Sequence, residues 1–168
     1  MPSFLTDEQT ALTTEIAEFL TARGEKVAVA ESSAGGLISA ALLSVPGASR
    51  YYSGGGVVYT LASRTQLAGV PAEDYANYRG TTPELLASLL DTMRERLGSD
   101  WCVGESGLAG PGAGRNGAPA GRVAIGVSGP IARTELLETG IDDRAANMVE
   151  FTTRSLRLLR DAIVEANG

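Results

Sequence analysis

The 168-residue chain has no histidine, one cysteine and one lysine. The missing histidine excludes Ser-His-Asp and Cys-His nucleophilic schemes and every histidine-bearing metal site. A single cysteine, Cys102, excludes an intramolecular disulfide, and its place in DWCVGES reads as an inert core thiol. The lysine, Lys26, opens a strand that ends near Ser32, roughly 20 Å away along an extended chain of about six residues. It is badly placed as a base for that serine, so acid–base work falls to Arg, Tyr, Asp, Glu or Ser. Basic residues are outnumbered 14 to 20, for a net charge of −6. That balance argues against a nucleic-acid partner, but a few local donors still suffice for a small anion. No apolar run reaches the roughly 18 residues of a membrane span. MPSFLTDEQT lacks a basic segment followed by an apolar one, so no secretory signal and no membrane partner are expected. A cytoplasmic location is the expectation, and no metal site or cofactor is called for.

Hydrophobic residues make up 43% of the chain, enough for a real core, and the length suits one domain over residues 1–168. Thr6 with Gln9 forms a capping box for a helix from about Asp7 to Arg23, closed by Gly24. KVAVAES reads as a strand buried on both faces, and GGLISAALLSV as a helix ending before Pro46. GGGVVYT reads as a second strand and ASRTQLAG as a short helix. Thr81 or Thr82 caps the next helix, with Pro83 in its first turn. Its core face is Leu85, Leu86, Leu89, Leu90, Met93 and Leu97. WCVGES is a third strand, and VAIGVSG and RTELLET form an antiparallel hairpin around Gly129-Pro130. The last helix spans about Asp143 to Ala166, with a stripe of Ala145, Met148, Val149, Thr152, Leu156, Leu159 and Ile163 facing the core. Early alternation of strands and helices predicts an α/β fold: a three-layer α/β/α sandwich around a mixed, mainly parallel sheet.

Three segments depart from pure packing, and all lie at strand ends, where open α/β sheets bind ligands. AESSAGG carries two serines between a strand and a helix. Either serine can be a nucleophile, and the new helix start offers N–H groups to an anion or oxyanion. A plain capped turn gives the same pattern. In GGGVVYTLASRTQ, Tyr59 and Arg64 flank a turn. Gly104 to Gly121 holds seven glycines and two prolines, too many for helix or strand. Its successive N–H groups can cradle a phosphate. It is neither a P-loop nor a dinucleotide fingerprint.

Together, VAVAESSAGGLISAALLSVPGASRYYSGGGVVYTLASRTQLAGV and GESGLAGPGAGRNGAPAGRVAIGV resemble the C-terminal domain of the CinA (competence/damage-inducible) proteins. Stand-alone members of that family include nicotinamide mononucleotide (NMN) deamidases. The nucleotide-processing N-terminal domain of full CinA proteins is not expected here. The resemblance implies hydrolysis of the NMN carboxamide to nicotinate mononucleotide and ammonia by a serine nucleophile, which falls on Ser32. The family tyrosine falls on Tyr59, a catalytic position, and Tyr59 or a bound water would relay the serine's proton. The family lysine, five residues later, falls on Arg64, which is always protonated and can act only electrostatically. Backbone N–H groups near Gly35 and Gly36 would hold the oxyanion. Glu31, Ser33 and Thr82 would complete the substrate site. A phosphate would sit in the loop at Ser106, Gly107, Gly110, Gly112 and Gly114. The family Ser-Glu opening the middle helix is Thr82-Pro83-Glu84. An arginine in the last helix of the deamidases falls on Met148 or its neighbour. The implied partner is a small-molecule nucleotide, and a homo-oligomer is expected, with RYYSGGGVVY as a candidate interface. The alternative is a nucleotide-binding module without turnover, suggested by Arg64.

Overall fold

A computed structural model describes residues 3–168. Met1 and Pro2, which the expected domain includes, lie outside the described residues. Helix α1 covers Asp7–Arg23, with the capping box made by Thr6 and Gln9 and a left-handed Gly24 at its end. There follow β1 (Val27–Glu31), α2 (Leu37–Leu43), β2 (Tyr52–Val57), α3 (Leu61–Gln66), α4 (Pro83–Arg96), β3 (Trp101–Gly107), β4 (Arg122–Ser128), β5 (Arg133–Glu138) and α5 (Arg144–Ala166). Single 3-10 turns at Ala48–Arg50 and Ala72–Tyr75 fall within the connections.

The strands form one sheet in the order β2-β1-β3-β4-β5. β1 pairs in parallel with β2 and β3, while β4 pairs antiparallel with β3 and β5. Four of the five strands therefore point one way and only β4 is reversed. This is the mixed, mainly parallel sheet expected, flanked by helices on both faces.

Alternation along the strands builds two cores. Val27, Val29, Val103, Val123, Ile125 and Val127 face α1, α2 and α5. Ala28, Ala30, Cys102 and Ala124 face α4, whose Leu86, Leu89, Leu90 and Met93 supply the bulk that those small residues lack. Leu97, expected in that core, is exposed at the helix end. In α5, Ala145 and Val149 are exposed, whereas Phe151, Leu158 and Ala162 are buried beside the expected residues. The reason is that α5 is covered by α1 and α2 as well as by the sheet, so its buried face is wider than one stripe and rotated from it.

β2 begins two residues earlier than GGGVVYT suggests and stops at Val57, leaving Tyr59 outside the strand. Parallel register with β1, from Val27 opposite Tyr52 to Glu31 opposite Val57, sets those limits. Gly55 is required for this pairing, because a Cβ there would lie 2.4 Å from the Val29 carbonyl oxygen.

Candidate functional site

β1 and β3 are parallel neighbours, so their carboxyl ends meet on one edge of the sheet. Ser32 follows β1 and Ser106 lies near the end of β3, and both are buried. Arg64, on α3, reaches over this edge and is only 3% exposed. Its Nη2 donates to Ser106 Oγ at 2.7 Å and, more distantly, to Ser32 Oγ at 3.4 Å. Its Nε donates to the Val58 carbonyl at 3.1 Å and its Nη1 to Thr81 Oγ1 at 3.4 Å. Thr81 Oγ1 and Ser106 Oγ share a hydrogen bond of 2.6 Å. The guanidinium is thus fixed from several sides with a serine hydroxyl on its outer edge.

The residues of AESSAGG divide the work. Glu31 is fully buried, and its Oε1 accepts from Gly36 N (2.9 Å) and Ile38 N (3.1 Å) while its Oε2 accepts from Ser39 N (3.0 Å). The start of α2 is therefore closed by the protein's own carboxylate. Gly35 N donates to the Ser32 carbonyl at 3.1 Å, so the N–H groups of Gly35 and Gly36 are both engaged within the chain. Gly35 has φ +70°, and a Cβ on it would come within 2.8 Å of the Met148 side chain. Ser33 Oγ donates to the Gly107 carbonyl (2.6 Å) and accepts from Gly107 N (3.2 Å), which ties the turn to β3. Of the two serines, only Ser32 faces Arg64.

Beneath the turn lies Glu105 of β3, with no solvent exposure. Its Oε1 accepts from Ser32 N at 2.7 Å and Ala34 N at 2.8 Å. Its Oε2 is buried without a hydrogen-bond partner. Burial pushes this carboxyl up to about 7, against the opposing pull of the Ala34 and Ser32 N–H groups. The Glu31 charge adds to the rise and the Arg64 charge opposes it. Burial also raises the Cys102 thiol, in keeping with an inert core residue.

The glycine-rich segment lines a shallow hollow of about 150 Å³ beside the serines, together with Ser33, Tyr59 and Arg144. Tyr59 is exposed, and its hydroxyl accepts from Arg144 Nη2 at 3.1 Å. Arg144 Nη1 donates to the Gly110 carbonyl at 2.8 Å. Gly112 N donates to Asp142 Oδ1 at 2.7 Å, and Gly114 N to the Ala118 carbonyl at 2.8 Å. Asn147, fully buried in α5, donates to the carbonyls of Ala109 (2.9 Å) and Ile141 (2.8 Å) and anchors the start of the loop. Thr82 stands apart as the exposed cap of α4, its Oγ1 accepting from Leu85 N at 3.2 Å. Lys26 lies at the opposite end of β1, near the carbonyls of Ser49 and Arg50.

Ser32, Arg64 and Ser106 are brought together, with Ser33, Gly107 and Tyr59 at their margin. Three residues that the sequence did not mark for the site also belong here: Thr81, expected only as a possible helix cap, Glu105 and Arg144. A carboxylate inside an otherwise apolar strand was the one available signal, for Glu105. Arg144, four residues before Met148, is the last-helix cation that reaches the hollow. Among the described residues no cluster suited to a metal ion occurs, and no helix is long and apolar enough to cross a membrane.

The same architecture occurs in solved structures. A competence-damaged protein (CinA) superfamily protein from Klebsiella pneumoniae superposes with a TM-score of 0.86 at 25% identity, over 94% of this chain and 98% of that one. A competence/damage-inducible protein from Agrobacterium tumefaciens shares the fold with a TM-score of 0.86 at 24% identity, over 99% of this chain and all of that one. A CinA-like protein from Parasynechococcus marenigrum is 37% identical over 152 residues, which are 89% of this chain and 36% of the relative. Another from Acidobacterium capsulatum is 40% identical over 126 residues, 75% of this chain and 30% of the relative. The chain thus spans about a third of the length of the curated relatives it matches. Residues 9–163 match the CinA C-terminal domain model, and the chain belongs to that family.

Proposed function

We propose that the protein is an amidohydrolase acting on the carboxamide of NMN or a closely related pyridine nucleotide, with Ser32 as nucleophile. The observation that carries this reading is the contact of the Ser32 hydroxyl with the buried Arg64 cation at the carboxyl edge of the sheet. A fixed positive charge favours the alkoxide over the hydroxyl and stabilises the oxyanion that forms on attack. This role falls to Arg64 because the Gly35 and Gly36 N–H groups are already engaged. Ser106 and Thr81 hold the guanidinium in place. The hollow beside Ser33 fits a phosphate-sized group, with Arg144 as its cation. Tyr59 borders that hollow rather than the Ser32 hydroxyl, so it is a substrate contact in this scheme.

Purified protein given NMN should release ammonia, and Ser32→Ala should not. Release no greater than the Ser32→Ala background would refute the reading. The second reading, a nucleotide-binding module without turnover, is favoured by the permanent charge on Arg64. It requires NMN binding by calorimetry without ammonia release. Arg64→Lys separates the two, since a gain of turnover from an inactive parent identifies a pocket that lacks only a base.

A further inference from the structure

Arg64 cannot take the serine's proton, so an acceptor has to come from elsewhere in the site. Tyr59 is exposed and bonded to Arg144. Lys26 lies at the far end of β1. Both oxygens of Glu31 are committed to the start of α2. Ser106 and Thr81 are neutral hydroxyls engaged with Arg64 and each other. Glu105 remains. Its Oε1 lies 2.7 Å from Ser32 N. Within one serine, N and Oγ are roughly 3 Å apart, so Oε1 is at most about 6 Å from the hydroxyl, a separation on the order of one bridging water. Its Oε2 has unused acceptor capacity, which buried carboxylates rarely leave idle.

We propose that Glu105 is the proton acceptor for Ser32, a role that rests on the reading of Ser32 as a nucleophile. The Ser32 proton passes to the Glu105 carboxylate as Oγ forms a bond to the carboxamide carbon. The carbonyl pair moves onto oxygen, beside Arg64. Collapse of this adduct breaks the carbon–nitrogen bond, and the proton held by Glu105 leaves with the nitrogen as ammonia. Water then attacks the ester and gives a proton to Glu105. The Ser32 oxygen leaves and regains that proton, so the enzyme is restored and the products are carboxylic acid and ammonia. The charged groups facing Glu105 are Glu31 from β1 and Arg64 from α3. Their balance, with burial, keeps the carboxyl near neutrality, where proton acceptance and return are both rapid.

The test needs no knowledge of the natural substrate. A fluorophosphonate probe forms an Oγ–phosphorus bond with an activated serine and expels fluoride. The labelling rate at Ser32, read by peptide mass spectrometry from pH 5 to 9, should rise about tenfold or more through a midpoint near 7 and then level off. Glu105→Gln, folded by thermal melting, should label at least thirtyfold more slowly and lose the midpoint. Glu105→Asp should recover part of the rate with a displaced midpoint, and it serves as the probe if the Gln variant does not fold. Labelling by Glu105→Gln within threefold of the parent, with the same pH profile, overturns the proposal, as does a parent whose Ser32 does not label. Glu105-dependent labelling without ammonia from NMN would leave this role standing and remove the substrate reading. Undiminished NMN turnover by Glu105→Gln would do the reverse.

Discussion

At the scale of single residues, the AESSAGG turn separates three tasks that its sequence presents as one motif. Glu31 closes the start of α2, Ser33 stitches the turn to β3, and Ser32 is left facing a cation. The anion that the helix start attracts is the protein's own side chain, so the phosphate of the proposed substrate would have to be held elsewhere. Arg144 is the cation on the hollow, already aimed by its bonds to Tyr59 and the Gly110 carbonyl. A charge-assisted contact to phosphate contributes to binding throughout the reaction and little to the chemical step. In the proposed amidase, Arg144→Ala should therefore raise KM for NMN about tenfold and change kcat less than threefold. Steady-state kinetics check this, and a loss confined to kcat would remove the phosphate role. Nothing local marks Arg144 in the sequence. It sits behind two aspartates at a helix start, and only the close of α5 against the loop turns it toward Tyr59.

At the scale of elements, β1 and its pairing with β2 hold the site in place. Gly55 sits over Val29 so closely that Gly55→Ala would force the two strands apart, since its Cβ meets backbone rather than a movable side chain. The expected cost is about 2–3 kcal/mol in urea unfolding, typical of overpacking. A change under about 0.5 kcal/mol would show that β2 yields freely. Much of this level was legible. The Thr6–Gln9 box and Pro83 in the first turn of α4 are local chemistry, and each places its helix as expected, while α5 starts one residue after Asp143, which caps it. The limits of β2 were not, because glycine-rich strands carry little alternation and parallel register with β1 decides where pairing stops. The choice between Thr81 and Thr82 was likewise undecidable from spacing. One caps the helix while the other turns inward to Arg64, a difference set by tertiary approach. Glu105 was visible as a charge in an apolar strand, but its partners lie 71 and 73 residues away in sequence.

At the scale of the whole molecule, a buried carboxyl titrating near 7 ties stability to pH. The folded chain holds the Glu105 proton more tightly than the unfolded chain, whose carboxyl titrates in the ordinary range. Between that range and about 7 the folded state binds more protons, so stability contributed by Glu105 is present at low pH and lost as pH rises through about 7. The loss amounts to roughly 3 kcal/mol at most. Urea unfolding at pH 5.5 and pH 8 should show the parent losing more stability than Glu105→Gln, and equal losses would contradict the burial argument. The site itself sits where the two parallel strands end between the helical layers, so the fold that buries Glu105 also presents Ser32. That serine is the centre of the proposed reaction. Ammonia release from NMN, measured on the parent protein beside Ser32→Ala under identical conditions, tests it most directly. Ser32 as nucleophile predicts turnover by the parent and a fall of at least a hundredfold in the variant. Equal release by the two proteins, or none from the parent, would contradict it.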